Sequence, residues 1–135
     1  MSNDLFTTNY FQVPIIPVVI NNEEYMMLVD TGSDHSSLDQ SVLDSIDDKI
    51  HVGSLDKIYT ASGEAPHDAV KIYKIKFTCA DMEMDECFMT ENAKEVFDFF
   101  LKRTGVKLYG IIGSDILIKH QAILDFKQQI LLFND

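Results

Sequence analysis

Leu28-Val29-Asp30-Thr31-Gly32-Ser33 places an acid, a threonine and a glycine directly after an apolar run. The run, Tyr25 to Val29, is apolar throughout and reads as a strand buried on both faces. A carboxylate at the end of such a strand is costly to bury without partners. The residues that follow supply them: the hydroxyls of Thr31 and Ser33 can donate hydrogen bonds, and Gly32 permits a tight turn and close backbone approach. Two plainer readings stay open at this point. One is an Asx-type turn that merely ends a strand. The other is an anion-binding turn, although the further glycines and the lysine of a phosphate loop are missing.

Upstream, Phe11 to Ile20 reads as a strand, with Pro14 and Pro17 suggesting an edge or a distorted start. Asn21-Asn22-Glu23-Glu24 supplies turn chemistry. Downstream, Val42 to Ile46 fits a short strand or a helical turn, and Ile58-Tyr59-Thr60 and Val70 to Thr78 read as strands. In the latter, Ile72, Lys74, Lys76 and Thr78 share one face, and Tyr73, Ile75 and Phe77 the other. A hairpin centred near Glu83 leads to Glu86-Cys87-Phe88-Met89. Ala93 to Arg103 is the clearest helix: Asn92 and Glu95 form a capping pair, and Gly105 stops it. Its stripe of Ala93, Val96, Phe97, Phe100 and Leu101 is expected to pack into the core. A second short helix begins near Ser114, and Ala122 to Phe126 and Gln129 to Phe133 close the chain as strands. The expected class is all-β with one or two short helices, in a single domain over 1–135 whose residues 1–10 form a flexible N-terminal segment.

The 135 residues are 46% hydrophobic and 24% charged, as expected of a globular domain with a real core. A net charge of -11 argues against nucleic acid, whose phosphates need a basic surface, and against anionic membranes. The longest apolar stretch, Val13 to Ile20, is too short to span a bilayer and is interrupted by prolines. Met1-Ser2-Asn3-Asp4 has neither the basic start nor the apolar region of a secretory signal, so a cytoplasmic location is expected. Cys79 and Cys87 lack metal-site spacing; they could face each other across the hairpin, and free buried thiols are the preferred reading. His35, His51, His67 and His120 are scattered without metal spacing. No metal and no cofactor are expected.

Three further stretches give the Asp30 segment a context. Gly110-Ile111-Ile112-Gly113-Ser114-Asp115-Ile116-Leu117 sets apolar residues and a glycine before a short helix, and Ala122 to Phe126 and Ile130 to Phe133 make a final hairpin. Together with Leu28 to Ser33 they resemble the retropepsin-like aspartic peptidases of the stand-alone cellular kind, from about Phe11 to Phe133. The helix-bearing segment Asn92 to Leu108 is longer than in the compact viral enzymes of this group. The resemblance implies a closed retropepsin-like (acid protease) β-barrel and an aspartic endopeptidase acting on a peptide or protein substrate. It makes Asp30 the catalytic acid/base, Thr31 a brace between paired loops, and Gly32 the point where substrate backbone approaches. Ser33 and Asp34 become substrate contacts, with the Ser33 hydroxyl donating to Asp30 and lowering the working pH. The flap falls on Tyr59 to Glu64, with Ser62 and Gly63 against substrate.

The chemistry needs two carboxylates on one water, and the chain has one Asp-Thr-Gly. Asp125 lacks the Thr-Gly and Asp115 lies inside the second stretch, so the expected partner is the symmetry mate of Asp30 in a homodimer. The alternative is a non-catalytic peptide-binding or dimerisation module on the same fold.

Overall fold

Turn chemistry and alternation become a run of short strands in the computed structural model, which describes residues 2–5, 13–54, 58–60, 63–65, 70–90 and 94–134. In chain order the first elements are β1 (Ser2–Leu5), β2 (Ile15–Ile20), β3 (Glu23–Val29), β4 (Ser37–Leu38), α1 (Gln40–Asp44) and β5 (Ile50–Ser54). Then come β6 (Ile58–Thr60), β7 (Gly63–Ala65), β8 (Lys71–Cys79), β9 (Met82–Thr90) and α2 (Lys94–Thr104). The last are β10 (Gly110–Ile112), α3 (Ser114–Lys119), β11 (Ile123–Asp125) and β12 (Ile130–Phe133).

Two hairpins supply most of the barrel. β2 and β3 are joined by Asn21 and Asn22 at φ 51° and 66°, the left-handed pair that a two-residue hairpin turn requires and asparagine tolerates. β8 and β9 are joined in the same way by Ala80 and Asp81, at φ 52° and 61°. The hairpin tip is therefore two to three residues before the expected centre near Glu83. Cys79 consequently pairs with Met82, and Cys87 pairs with Lys74. Neither cysteine is in a disulfide; Cys79 is buried as expected and Cys87 exposed, contrary to the expectation.

The strands run in the order β2-β3-β10-β4-β9-β8, with β5 added at the β8 edge, and a short β2–β8 pairing at Val18 and Val19 closes the ring. Pro17 sits just outside that pairing, where its missing N–H is tolerated. The barrel is mixed: β10 runs parallel to β3 and β4 parallel to β9, while the remaining neighbours are antiparallel. β10 has room to pass between β3 and β4 only because its first residue lacks a side chain. A Cβ on Gly110 would fall 2.3 Å from the Ser37 carbonyl oxygen and 2.7 Å from the end of Met27. Inside the barrel Ile16, Val18, Met27, Val29, Leu38, Ile75, Phe77, Phe88 and Ile112 form one core, with Phe77 and Phe88 edge to face at 5.2 Å between ring centroids.

The outer face of β3 is covered differently from the expectation of full burial. Met27 and Val29 point into the core, whereas Tyr25, Met26 and Leu28 are half-buried. Met26 and Leu28 pack with Phe97 and Phe100 of α2 in a smaller second cluster. The packed face of α2 is narrower than the expected stripe: Phe97 and Phe100 are buried, but Val96 and Leu101, one position to either side, are exposed. Ala93 and the Asn92 cap lie outside the described residues. At the other end Gly105 takes φ 77° and donates to the Leu101 carbonyl at 2.8 Å, which ends the helix as expected. Among the described residues there are three helices rather than one or two, the additional one being α1.

A separate three-stranded sheet, β1-β12-β11, carries the closing hairpin. Ser2 to Leu5, expected in a flexible segment, instead form a strand antiparallel to Ile130 to Phe133. Leu131 and Phe133 point from this sheet into the main core. Asp125 shapes the turn, its Oδ1 accepting the amides of Lys127 and Gln128 at 3.0 Å each.

Candidate active site

β3 leaves the barrel at Val29, and the chain turns at once because β10 holds its end: the Asp30 amide donates to the Ile112 carbonyl at 3.0 Å. Within the loop, the Gly32 amide donates to Asp30 Oδ1 at 2.9 Å and the Ser33 amide to the Asp30 carbonyl at 3.2 Å. A Cβ on Gly32 would sit 3.3 Å from that same carboxylate oxygen and crowd it. Asp30 is half-buried, and Thr31, Gly32, Asp34 and His35 are exposed. The carboxylate is thus not sealed in apolar surroundings, as its place after an apolar strand suggested. It stands at the barrel mouth, oriented by a backbone donor and open to an incoming group.

Asp30, Thr31, Gly32, Ser33 and Asp34 are brought together on this loop between β3 and β4. Gly63 lies apart from it, at the start of β7 in the two-stranded β6–β7 hairpin, where it pairs with Thr60. Ser62 lies outside the described residues. The expected donation from Ser33 to Asp30 is not made: the Ser33 hydroxyl donates to the His35 carbonyl at 2.8 Å, a local turn bond. A serine hydroxyl readily bonds the backbone of its own loop, here the carbonyl two residues on.

Two residues that sequence reasoning passed over join the loop to the second glycine stretch. Ser36 is buried, with 1% of its surface exposed. Its amide donates to Asp115 Oδ2 at 3.0 Å, its hydroxyl donates to Asp115 Oδ1 at 2.7 Å, and its Oγ accepts the Gly113 amide at 2.9 Å. The Ser114 amide adds a bond of 2.7 Å to the Ser33 carbonyl. Gly113 must be a glycine for this contact, since a Cβ there would lie 2.7 Å from the Ser33 carbonyl oxygen and 2.8 Å from that of His35. The one hint in the sequence is the position of Asp115, just inside the helix that follows the glycine. These bonds also decide what Asp115 and Asp125 do. Both oxygens of Asp115 serve Ser36, and Asp125 shapes the β11–β12 turn, so each has a structural task of its own.

Comparison with known proteins places this geometry. A sequence model described as aspartyl protease matches residues 16–116, which include Asp30, Ser36, Gly113 and Asp115. No curated protein matches the chain by sequence. Among solved structures, EIAV protease complexed with the inhibitor HBY-793 is similar at a TM-score of 0.61 and 18% identity, covering 89% of this chain and 99% of that one. A retropepsin-like aspartic protease from Rickettsia conorii gives a TM-score of 0.56 at 14% identity, over 96% of this chain and 88% of that one. The retroviral protease-like domain of Ddi1 from Leishmania major gives 0.53 at 16% identity, over 90% and 87%. At these identities the structural likeness speaks for the fold, a closed mixed barrel of the retropepsin-like kind, and the match over most of the sequence speaks for descent. The chain belongs to the aspartyl protease family.

Proposed function

We propose that the chain is an aspartic endopeptidase that works as a homodimer, with Asp30 of each protomer supplying one half of the catalytic pair. The observation that carries this reading is the state of the carboxylates. Asp30 is held at the barrel mouth by one amide and left open, while Asp115 and Asp125 are engaged in holding other parts of the chain. A two-fold axis past the Asp30 loop supplies the missing partner.

Two carboxylates brought that close cannot both ionise easily, so the pair shares one proton. The ionised member takes a proton from water as its oxygen attacks the peptide carbonyl carbon, and the protonated member donates to the carbonyl oxygen. Collapse of the diol breaks the C–N bond, with a proton passing to the leaving amine, and the pair returns to one shared proton. In this reading Thr31 braces the two loops across the axis and Gly32 admits substrate backbone. Ser33, Asp34, Ser62 and Gly63 contact the substrate, and the β6–β7 hairpin closes over it. Two cysteines outside any disulfide suit a reducing compartment such as the cytoplasm.

The test compares wild type with Asp30→Asn on a mixed peptide library from acidic to neutral pH, with mass in solution measured by sedimentation. The expected result is cleavage by a dimer, reduced roughly 10²–10⁴-fold or more in Asp30→Asn. Cleavage that persists unchanged in the variant overturns the catalytic assignment. A dimer that cleaves nothing in either form points instead to a peptide-binding module.

A further inference from the structure

We infer that Asp115 is a positioning residue for the Asp30 loop and that it acts through Ser36. The inference rests on the reading of Asp30 as catalytic, and its argument is one of bond direction. The loop from Asp30 to Ser36 is anchored at both ends to the β10–α3 junction. Its first end is tied by backbone alone, Asp30 to Ile112 at 3.0 Å. The last end is tied by side chains, through the bonds of Ser36 to Asp115 and Gly113.

A hydroxyl has one proton. Ser36 Oγ accepts the Gly113 amide at 2.9 Å, so its proton must go to a second acceptor, and Asp115 Oδ1 takes it at 2.7 Å. The Ser36 amide needs an acceptor as well, and finds the other carboxylate oxygen at 3.0 Å. The remaining backbone group is also engaged, the Ser36 carbonyl accepting the Met89 amide at 3.0 Å. Only an acceptor-only group with two oxygens satisfies both donors of a buried serine at once. Asparagine has nearly the same shape but offers one oxygen and a donor amide. Whichever way it turns, one donor of Ser36, itself buried although Asp115 reaches the surface, is left facing N–H groups. The chain then relieves the conflict by moving Ser36, and the short loop transmits that movement to Asp30. Ser33, midway along the loop, is bonded to Ser114 at 2.7 Å, so helix α3 and the loop move together.

Two readouts separate this role from a merely structural one, and also from failure of the peptidase reading. The first is the division of the loss between kcat and KM for Asp115→Asn, Ser36→Ala and the double variant, assayed well below the melting temperature of each. We expect kcat to fall on the order of 10²-fold in either single variant with KM little changed, since a displacement of about 1 Å has that cost. The double variant should be no worse than the poorer single one, because both remove the same link. The second readout does not need activity: amide exchange and chemical shift at Gly32, whose N–H bonds the Asp30 carboxylate, together with exchange at Gly113. Faster exchange at both in Asp115→Asn supports the inference even in a preparation that cleaves nothing, in which case the peptidase reading alone is lost. A variant that melts lower but keeps wild-type kcat, or one whose Gly32 amide is unchanged, overturns it. If Asp115→Asn does not fold, Ser36→Ala and Ser36→Thr decide from the other partner: restored kcat and Gly32 shift in the hydroxyl-bearing variant support the link, and equal loss in both overturns it.

Discussion

Ser33 has one hydroxyl proton, and it is given to the His35 carbonyl at 2.8 Å. The carboxylate of Asp30 is instead addressed by the Gly32 amide. The serine side chain takes no part in that bond. Ser33→Ala should therefore leave the acidic limb of the pH–rate profile where it is in the wild type. An upward shift of about one unit, equivalent to ~1.4 kcal/mol, would show the hydroxyl turning to Asp30 in the working enzyme. The legibility of the site follows from the same scale. Asp30, Thr31 and Gly32 could be read because their meaning is carried by adjacent residues. Ser36 and Asp115 could not, since the pair is 79 positions apart and neither residue type is unusual where it stands. Nor did the sequence reveal which acceptor the Ser33 hydroxyl would choose, because that depends on the direction in which the loop closes.

At the scale of elements, β9 presents a charge to the inside. Met84, Phe88 and Thr90 point inward and are buried, and Glu86 shares their face, opposite Ile75. Its side chain is only 13% exposed, and it survives there because the end of α3 meets it: Lys119 Nζ lies 2.8 Å and His120 Nε2 2.9 Å from Oε1. Burial by itself pushes the Glu86 carboxyl up. The hydrogen bonds from Lys119 and His120 and their charge outweigh it, and hold the pKa below its ordinary 4.5. A carboxyl lowered by folding stabilises the fold above its unfolded pKa, and that contribution is lost as pH falls through the folded value. Glu86→Gln should thus cost about 1.5–3 kcal/mol at neutral pH, the range for hydrogen bonds to a charged group. The gap between variant and wild type should close as the pH drops below 4.5, which urea melts across the acid range would measure. Other elements divide by the kind of signal that specifies them. The β2–β3 turn carries its asparagines openly, whereas Ala80 and Asp81 adopt the same backbone without a marker, which displaced the expected hairpin centre. β1 has little strand propensity of its own and exists because β12 offers it a partner.

For the whole molecule, the all-β class was legible from the strand pattern and the closed barrel from the resemblance, but the assembly is a matter of counting. A catalytic pair divided between two chains makes activity a function of concentration. Specific activity should fall on dilution below the dissociation constant of the dimer, becoming proportional to protein concentration, and should recover on reconcentration. Activity strictly proportional to enzyme at every dilution, in a preparation shown to be monomeric, would overturn the shared pair.

The β1–β12 ladder sets Asn3 directly opposite Leu132, roughly 5 Å apart at the strand spacing. A disulfide between Asn3→Cys and Leu132→Cys would therefore tie the first strand to the last and enclose nearly the whole barrel in one covalent ring. Closing a ring of this size restricts the unfolded chain alone, by up to about 4–5 kcal/mol on the loop-entropy estimate. The bridged protein should melt higher than its reduced form while keeping the same exposed Asp30 loop.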